Sequence, residues 1–304
     1  MTHDRLPVRS GVPGPPAAFA RGRRGLLGSA LILAIAVSGS ASAPSPRLHK
    51  QIVTYTNGAL TLMGCLYRPD GPGPFPTLIW NHGSEPDPAS APQFDSVAAI
   101  FVPAGYAVLA PVRRGQSESQ GDYIQDRIAA TFRQSGADAA ERLMVQLMGS
   151  EQLSDQLAGL AYAKTLAFVD TTRLVVAGCS YGGIQTLLAA ERGAGFKAAL
   201  AISPGALSWR GHLLLQDRLL RTVRRIDIPV LLIQPPKDAS LEPAKRLGAE
   251  ADRLGKTSFT AKVYPATMPE GQQGHCFGGA RGMHLWAAEA LDFFGGVLGT
   301  RPAR

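Results

Sequence analysis

The chain has 304 residues, of which 45% are hydrophobic and 18% charged. That is enough apolar material for one large domain, and it excludes a disordered chain or a coiled coil. The net charge of +8 invites a nucleic-acid partner, but Arg5, Arg9, Arg21, Arg23 and Arg24 against Asp4 put half of it into residues 1–43. The other arginines cluster only at Arg113-Arg114 and from Arg221 to Arg225, without interleaved aromatics, so no nucleic acid is expected.

Residues 1–43 read as a signal peptide: arginines, an apolar run from Leu26 to Val37, then Ala41-Ser42-Ala43 as a small-residue cleavage site. The run is too short to span a bilayer comfortably, although an uncleaved anchor is the alternative. Arg23-Arg24-Gly25-Leu26-Leu27 also resembles a twin-arginine export signal. The expectation is an exported protein, periplasmic or extracellular, with no membrane span after cleavage. Cys65, Cys179 and Cys276 are an odd set for such a compartment. Cys179 reads as a small buried hydrophobe; a Cys65–Cys276 disulfide is compatible with the sequence but not determined by it. No cysteine pair has zinc-ligand spacing, so no structural metal is expected; no cofactor is implied either.

Residues 44–304 read as a single domain. Residues 51–56 and 59–67 form two predicted strands around Asn57-Gly58, a hairpin signal. A Pro/Gly-rich connection leads to a short apolar strand at 77–80, a helix over 93–103 and a strand over 106–112. Neither strand alternates with polar residues, as expected where both faces are covered. From 122 to 166 the pattern is helical, with three- and four-residue apolar spacing over 139–148 and 154–166. Strands at 173–177, 196–202, 228–234 and 259–264 then alternate with helices at 183–190, 207–223, 243–254 and 283–298. Strands alternating with helices predict a mostly parallel central sheet with helices on both faces.

Between one of these strands and its helix stands Gly178-Cys179-Ser180-Tyr181-Gly182. Gly-x-Ser-x-Gly in that setting is a nucleophile elbow, a sharp turn that exposes one serine hydroxyl. The flanking glycines are needed because a Cβ there would collide with the adjoining strand or helix. With Phe75 to Gly83 and Val169 to Gly183, the chain resembles an α/β-hydrolase, in particular dienelactone hydrolases and prolyl-oligopeptidase-type catalytic domains. The resemblance implies the α/β-hydrolase fold and a triad in the order Ser, Asp or Glu, His. Ser180 takes the first place. Asp238, just past the strand ending at Gln234, takes the second. Asp227 falls at the wrong end of that strand, and Asp217 and Asp252 sit in helical stretches. His275, in a glycine-rich loop after the last strand, takes the third place ahead of His284, in the closing helix, and His212, which breaks the order. The resemblance also implies an oxyanion hole of backbone donors, the N–H groups of Tyr181 and Ser84, with His82 supporting the second turn. A cysteine nucleophile, as in dienelactone hydrolases proper, is not expected because Ser180 holds that position. Arg113-Arg114 resembles a loop in related hydrolases, where a structural ion pair is expected.

These residues predict a serine hydrolase that cleaves carboxylic esters through an acyl-enzyme. The alternatives are a serine peptidase of the prolyl-oligopeptidase type, or a silent hydrolase scaffold used for binding. Such peptidases usually carry a β-propeller ahead of the hydrolase domain, and the short stretch before the first core strand leaves no room for one. The expected partner is a small ester or a short peptide. Residues 121–148 read as a small helical lid, whose Ile124, Ile128, Phe132, Leu143 and Met144 either line an acyl pocket or pack against the domain.

Overall fold

The computed structural model describes residues 48–85, 87, 89 and 93–300, so the expected leader lies outside the described residues. The hairpin opens the fold as β1 (His49–Asn57) and β2 (Leu60–Arg68), antiparallel, with Asn57 opposite Leu60 across the turn. There follow β3 (Phe75–Asn81), α1 (Asp95–Phe101), β4 (Ala107–Pro111), α2 (Ile124–Gly149) and α3 (Glu151–Ala163). The second half runs β5 (Val169–Cys179), α4 (Tyr181–Arg192), β6 (Phe196–Ile202), α5 (Leu213–Arg225), β7 (Val230–Gln234), α6 (Glu242–Arg253), β8 (Phe259–Val263) and α7 (His284–Leu298). Two short 3₁₀ segments, Glu270–Gln272 and His275–Gly282, lie between β8 and α7.

The strands form one sheet in the order β1-β2-β4-β3-β5-β6-β7-β8. Only β2 runs against the rest. Every residue of β4 and β7 is buried, which explains why these strands read as unbroken apolar runs. One face is covered by α1 and α7, through Val97, Ala98 and Phe101 and through Trp286, Ala290 and Phe294. The i, i+4, i+8 spacing on α7 gives it one apolar stripe, and Trp286 stacks on Trp80 of β3 at 6.4 Å. Residues of α2 through α6 pack on the opposite face.

The chain leaves β3 toward β4 on one side, and β5 enters on the other side of β3. Such a reversal opens a crevice at the carboxyl ends of the two strands, where open α/β sheets hold their ligands. Both the elbow and the turn after Asn81 lie at that crevice.

Two predicted elements differ in extent. The helix expected over 207–223 begins only at Leu213, because residues 203–211 form tight turns with Gly205 and Gly211 at positive φ. Buried Trp209 anchors that stretch, its carbonyl accepting the Gln216 side-chain amide at 2.7 Å. The helical region of 122–166 is two elements, and α2 is itself broken at Gly136, with φ 81°.

Candidate active site

Ser180 sits between the last residue of β5 and the first of α4, with φ 59° and ψ −119°. A non-glycine residue held there costs about 1–3 kcal/mol and persists only where its surroundings over-determine it. They do. The Ser180 N–H donates to the Ile202 carbonyl at 2.9 Å, and its carbonyl accepts from Ile184 at 3.1 Å. A Cβ on Gly182 would stand 2.0 Å from the Asn81 carbonyl oxygen, and one on Gly178 would stand 2.5 Å from the same atom. The elbow glycines are therefore required by the backbone of β3 passing directly over them.

Asp238 follows β7 and its side chain is fully buried, while His275 lies in the loop after β8. His275 Nδ1 is 2.7 Å from Asp238 Oδ1. Burial pushes the Asp238 carboxyl up, but hydrogen bonds from His275, Ser203 and Gln234 outweigh it and hold the group below the ordinary aspartate value. The Gln234 amide donates at 3.1 Å and the Ala239 N–H at 2.8 Å. The other ring nitrogen, His275 Nε2, is buried without a hydrogen-bond partner among the described residues.

The competing residues lie elsewhere. Asp227 is 94% exposed beside Lys256, Asp217 pairs with Arg221, and Asp252 is on the solvent side of α6. His284 is exposed at the start of α7. His212 lies 3.9 Å from Glu141, which caps the start of α5 through the Leu214 N–H.

Tyr181 is the first residue of α4, so its N–H has no partner within the helix and lies immediately after Ser180. The facing turn is His82-Gly83-Ser84. A Cβ on Gly83 would come 3.8 Å from Ser180 Cβ, so this turn borders the serine. Ser84 is exposed. His82 is buried and neutral, its pKa pushed far down by burial and by the neighbouring Arg113 guanidinium.

Arg113 departs from the expected ion pair. It is buried and holds backbone instead, donating to the His82 carbonyl at 2.8 Å and the Gly83 carbonyl at 2.7 Å. Its guanidinium also covers the Tyr181 ring at 4.5 Å, so it links both sides of the crevice. Burial lowers its pKa to about 10, which leaves it cationic at neutral pH. Arg114 forms the ion pairs, with Asp155 at 2.8 Å and Glu151 at 2.8 Å.

The sequence reading missed two features. Ser203, at the end of β6, is fully buried with φ 49°, hydrogen-bonds Asp238, and accepts the Cys276 N–H at 3.3 Å. Only its place after an apolar strand could have pointed to it. The second is a disulfide between Cys179 and Cys276, with Cα atoms 6.2 Å apart. This corrects both cysteine expectations: Cys276 does not pair with Cys65, and Cys179 is not a free hydrophobe. Cys65 lies within β2, fully buried between sheet and helices, whereas Cys276 lies at the carboxyl edge beside the elbow.

Of the lid residues, Ile124 and Met144 are buried in the main core, with Ile128 and Leu143 packed against it. Phe132 is 57% exposed. Ile128, Phe132, Met144 and His212 border a cavity of about 380 Å³.

The sheet order and the strand–elbow–helix unit decide the fold. The chain has the α/β-hydrolase fold. Residues 92–230, just under half of the chain, match the model of the prolyl oligopeptidase family. No curated protein matches. Among solved structures, the Pyrococcus furiosus esterase Pf2001 is 16% identical with a TM-score of 0.60, over 83% of this chain and 93% of the esterase. The Pyrococcus horikoshii acylaminoacyl peptidase is 16% identical with a TM-score of 0.62, over 84% of this chain and 42% of the peptidase. A Mycobacterium tuberculosis puromycin-hydrolyzing peptidase is 19% identical with a TM-score of 0.61, over 87% and 42%. The chain thus spans under half the length of these peptidases and nearly all of the esterase.

Proposed function

We propose that this protein is an exported serine hydrolase of carboxylic esters. Ser180 attacks the ester carbonyl as His275 Nε2 takes its proton. Asp238 holds the ring through Nδ1 and stabilises the imidazolium that forms. The backbone N–H groups of Tyr181 and Ser84 receive the developing oxyanion, each such donor being worth roughly 10²–10³ in turnover. His275 returns the proton to the departing alcohol. A water, deprotonated by the same nitrogen, then releases the acid from the acyl-enzyme.

The observation that carries this reading is the 2.7 Å His275–Asp238 hydrogen bond, with Nε2 left without a partner, at the sheet edge that also bears the strained Ser180. A silent scaffold would have no use for a buried His–Asp pair beside an elbow. Ester cleavage is supported by the likeness to the esterase over nearly its whole length. Export is supported by the leader-like sequence of residues 1–43 and by the disulfide, a bond that persists in oxidising compartments.

A second reading, peptide hydrolysis, rests on the prolyl oligopeptidase family match. Labelling with a fluorophosphonate, together with turnover of p-nitrophenyl esters and of dipeptide p-nitroanilides, tests both. Labelling of Ser180 with turnover of esters alone supports the first. Faster turnover of the anilides would give the second, and an unlabelled protein that turns over neither class would reject both.

A further inference from the structure

We infer that the Cys179–Cys276 disulfide is a positioning element of the catalytic site, a covalent strut joining the residue before the nucleophile to the residue after the base. The inference rests on the reading of Ser180 and His275 as nucleophile and base. The two cysteines are 97 positions apart in sequence, and their Cα atoms lie 6.2 Å apart. Adjacent Cα atoms are about 3.8 Å apart. The strut therefore caps the Ser180–His275 Cα separation at about 14 Å, however the intervening chain moves.

The base needs such a tie more than the nucleophile does. Ser180 is fixed by a central strand, a helix and the packed glycines. His275 stands in a stretch between β8 and α7 that contains only 3₁₀ turns. Immediately after it, Cys276, Phe277 and Gly278 adopt φ of 52°, 57° and 71° in succession, a left-handed turn that L-residues resist. Four contacts oppose that resistance. Phe277 is fully buried and packs edge-on against Tyr264 at 4.9 Å. The Cys276 N–H reaches Ser203. The Lys237 N–H donates to the Gln273 carbonyl at 2.9 Å, joining this loop to the Asp238 loop. The disulfide is the only one of the four that leads directly to the elbow.

The strut thus acts on the relation between two reacting groups rather than on the fold. The core on both faces of the sheet is continuous without it. Removing it releases the left-handed turn and lets His275 Nε2 wander from Ser180, and a misplacement of about 1 Å can cost on the order of 10²-fold in rate.

The test compares the full chain with its Cys179→Ala/Cys276→Ala variant on p-nitrophenyl acetate, with Tm recorded for both. The expected result is a loss in kcat of about 30–100-fold with KM within about threefold, and an altered pH profile of kcat/KM, because the imidazole no longer meets Asp238 in one geometry. A purely structural role would lower Tm and leave kcat unchanged at a temperature where the variant is folded, and that outcome overturns the inference. Should the variant not fold, the unmutated protein is assayed before and after dithiothreitol. The reagent becomes its cyclic disulfide as the two cysteines become thiols, and reoxidation should restore the lost activity. Full activity of the reduced protein also overturns the inference. An unmutated protein that neither cleaves ester or anilide nor labels at Ser180 defeats the underlying reading, and the inference with it. That result is distinct from an active protein indifferent to its disulfide.

Discussion

The two halves of the candidate site are built by opposite means. On the elbow side, regular structure sets the geometry: β5 runs into α4, and Gly178 and Gly182 let β3 pass over the bend. On the His275 side only short 3₁₀ segments stand between β8 and α7. There a left-handed turn follows His275, and a buried phenylalanine, a serine hydroxyl and a disulfide tie that turn to the rest of the sheet edge. The position of Ser180 is thus a local consequence of backbone sterics. The position of His275 is a consequence of links between segments far apart in sequence.

Substitutions on each side sharpen that contrast, beginning with the largest effect. Asp238→Asn keeps the shape but can no longer select the ring tautomer or balance the imidazolium. It should lower kcat by about 10⁴-fold, measured on p-nitrophenyl acetate. The same variant has a stability signature. Because the Asp238 carboxyl is held below its ordinary value, its contribution is present above the unfolded value near 4 and is lost as pH falls through the depressed folded value. The wild type should therefore be the more stable protein in urea at pH 6, with the difference shrinking once the pH drops below about 4.

On the elbow side, Gly182→Ala drives a methyl into the Asn81 carbonyl, from which a Cβ would stand 2.0 Å. It should cost about 3 kcal/mol or more in urea unfolding. Gly83→Ala meets only ordinary contacts of 3.7 and 3.8 Å and should change stability by less than about 1 kcal/mol. Equal losses from the two would remove the steric account of the elbow.

Arg113→Met keeps much of the volume but strips the His82 and Gly83 carbonyls of their donor. If this guanidinium aligns the turn that carries an oxyanion donor, kcat should fall about 10²-fold at nearly constant KM. A rise in KM alone would place Arg113 in substrate binding instead.

Ser203→Ala removes one hydrogen bond to Asp238 and one acceptor for Cys276. It should reduce kcat about tenfold and lower stability by about 1 kcal/mol. An unchanged kcat would leave the disulfide and Asp238 as sufficient support for the base.

Much of this molecule could be read from the chain alone. The strands stand where apolar runs stand, because a sheet covered on both faces needs no polar alternation. The elbow was legible because its residues are adjacent and its glycines answer to a steric need a few residues wide. Asp238 and His275 could be singled out by chain order and by the strands that precede them, and the structure brings these two side chains together. What the sequence could not supply is each contact that joins distant segments. Cys276 had two candidate partners of the same residue type, and only the placement of Cys65 within β2 and of Cys179 at the carboxyl end of β5 separates them. Ser203 and Arg113 likewise resemble any serine after a strand and any loop arginine until the fold sets Asp238 beside one and the His82-Gly83 carbonyls beside the other. Local pattern encodes which element a residue joins, because backbone propensity and burial act over a few positions. Which residues then meet across 30 to 100 positions is decided only when the sheet is assembled and its loops crowd one edge.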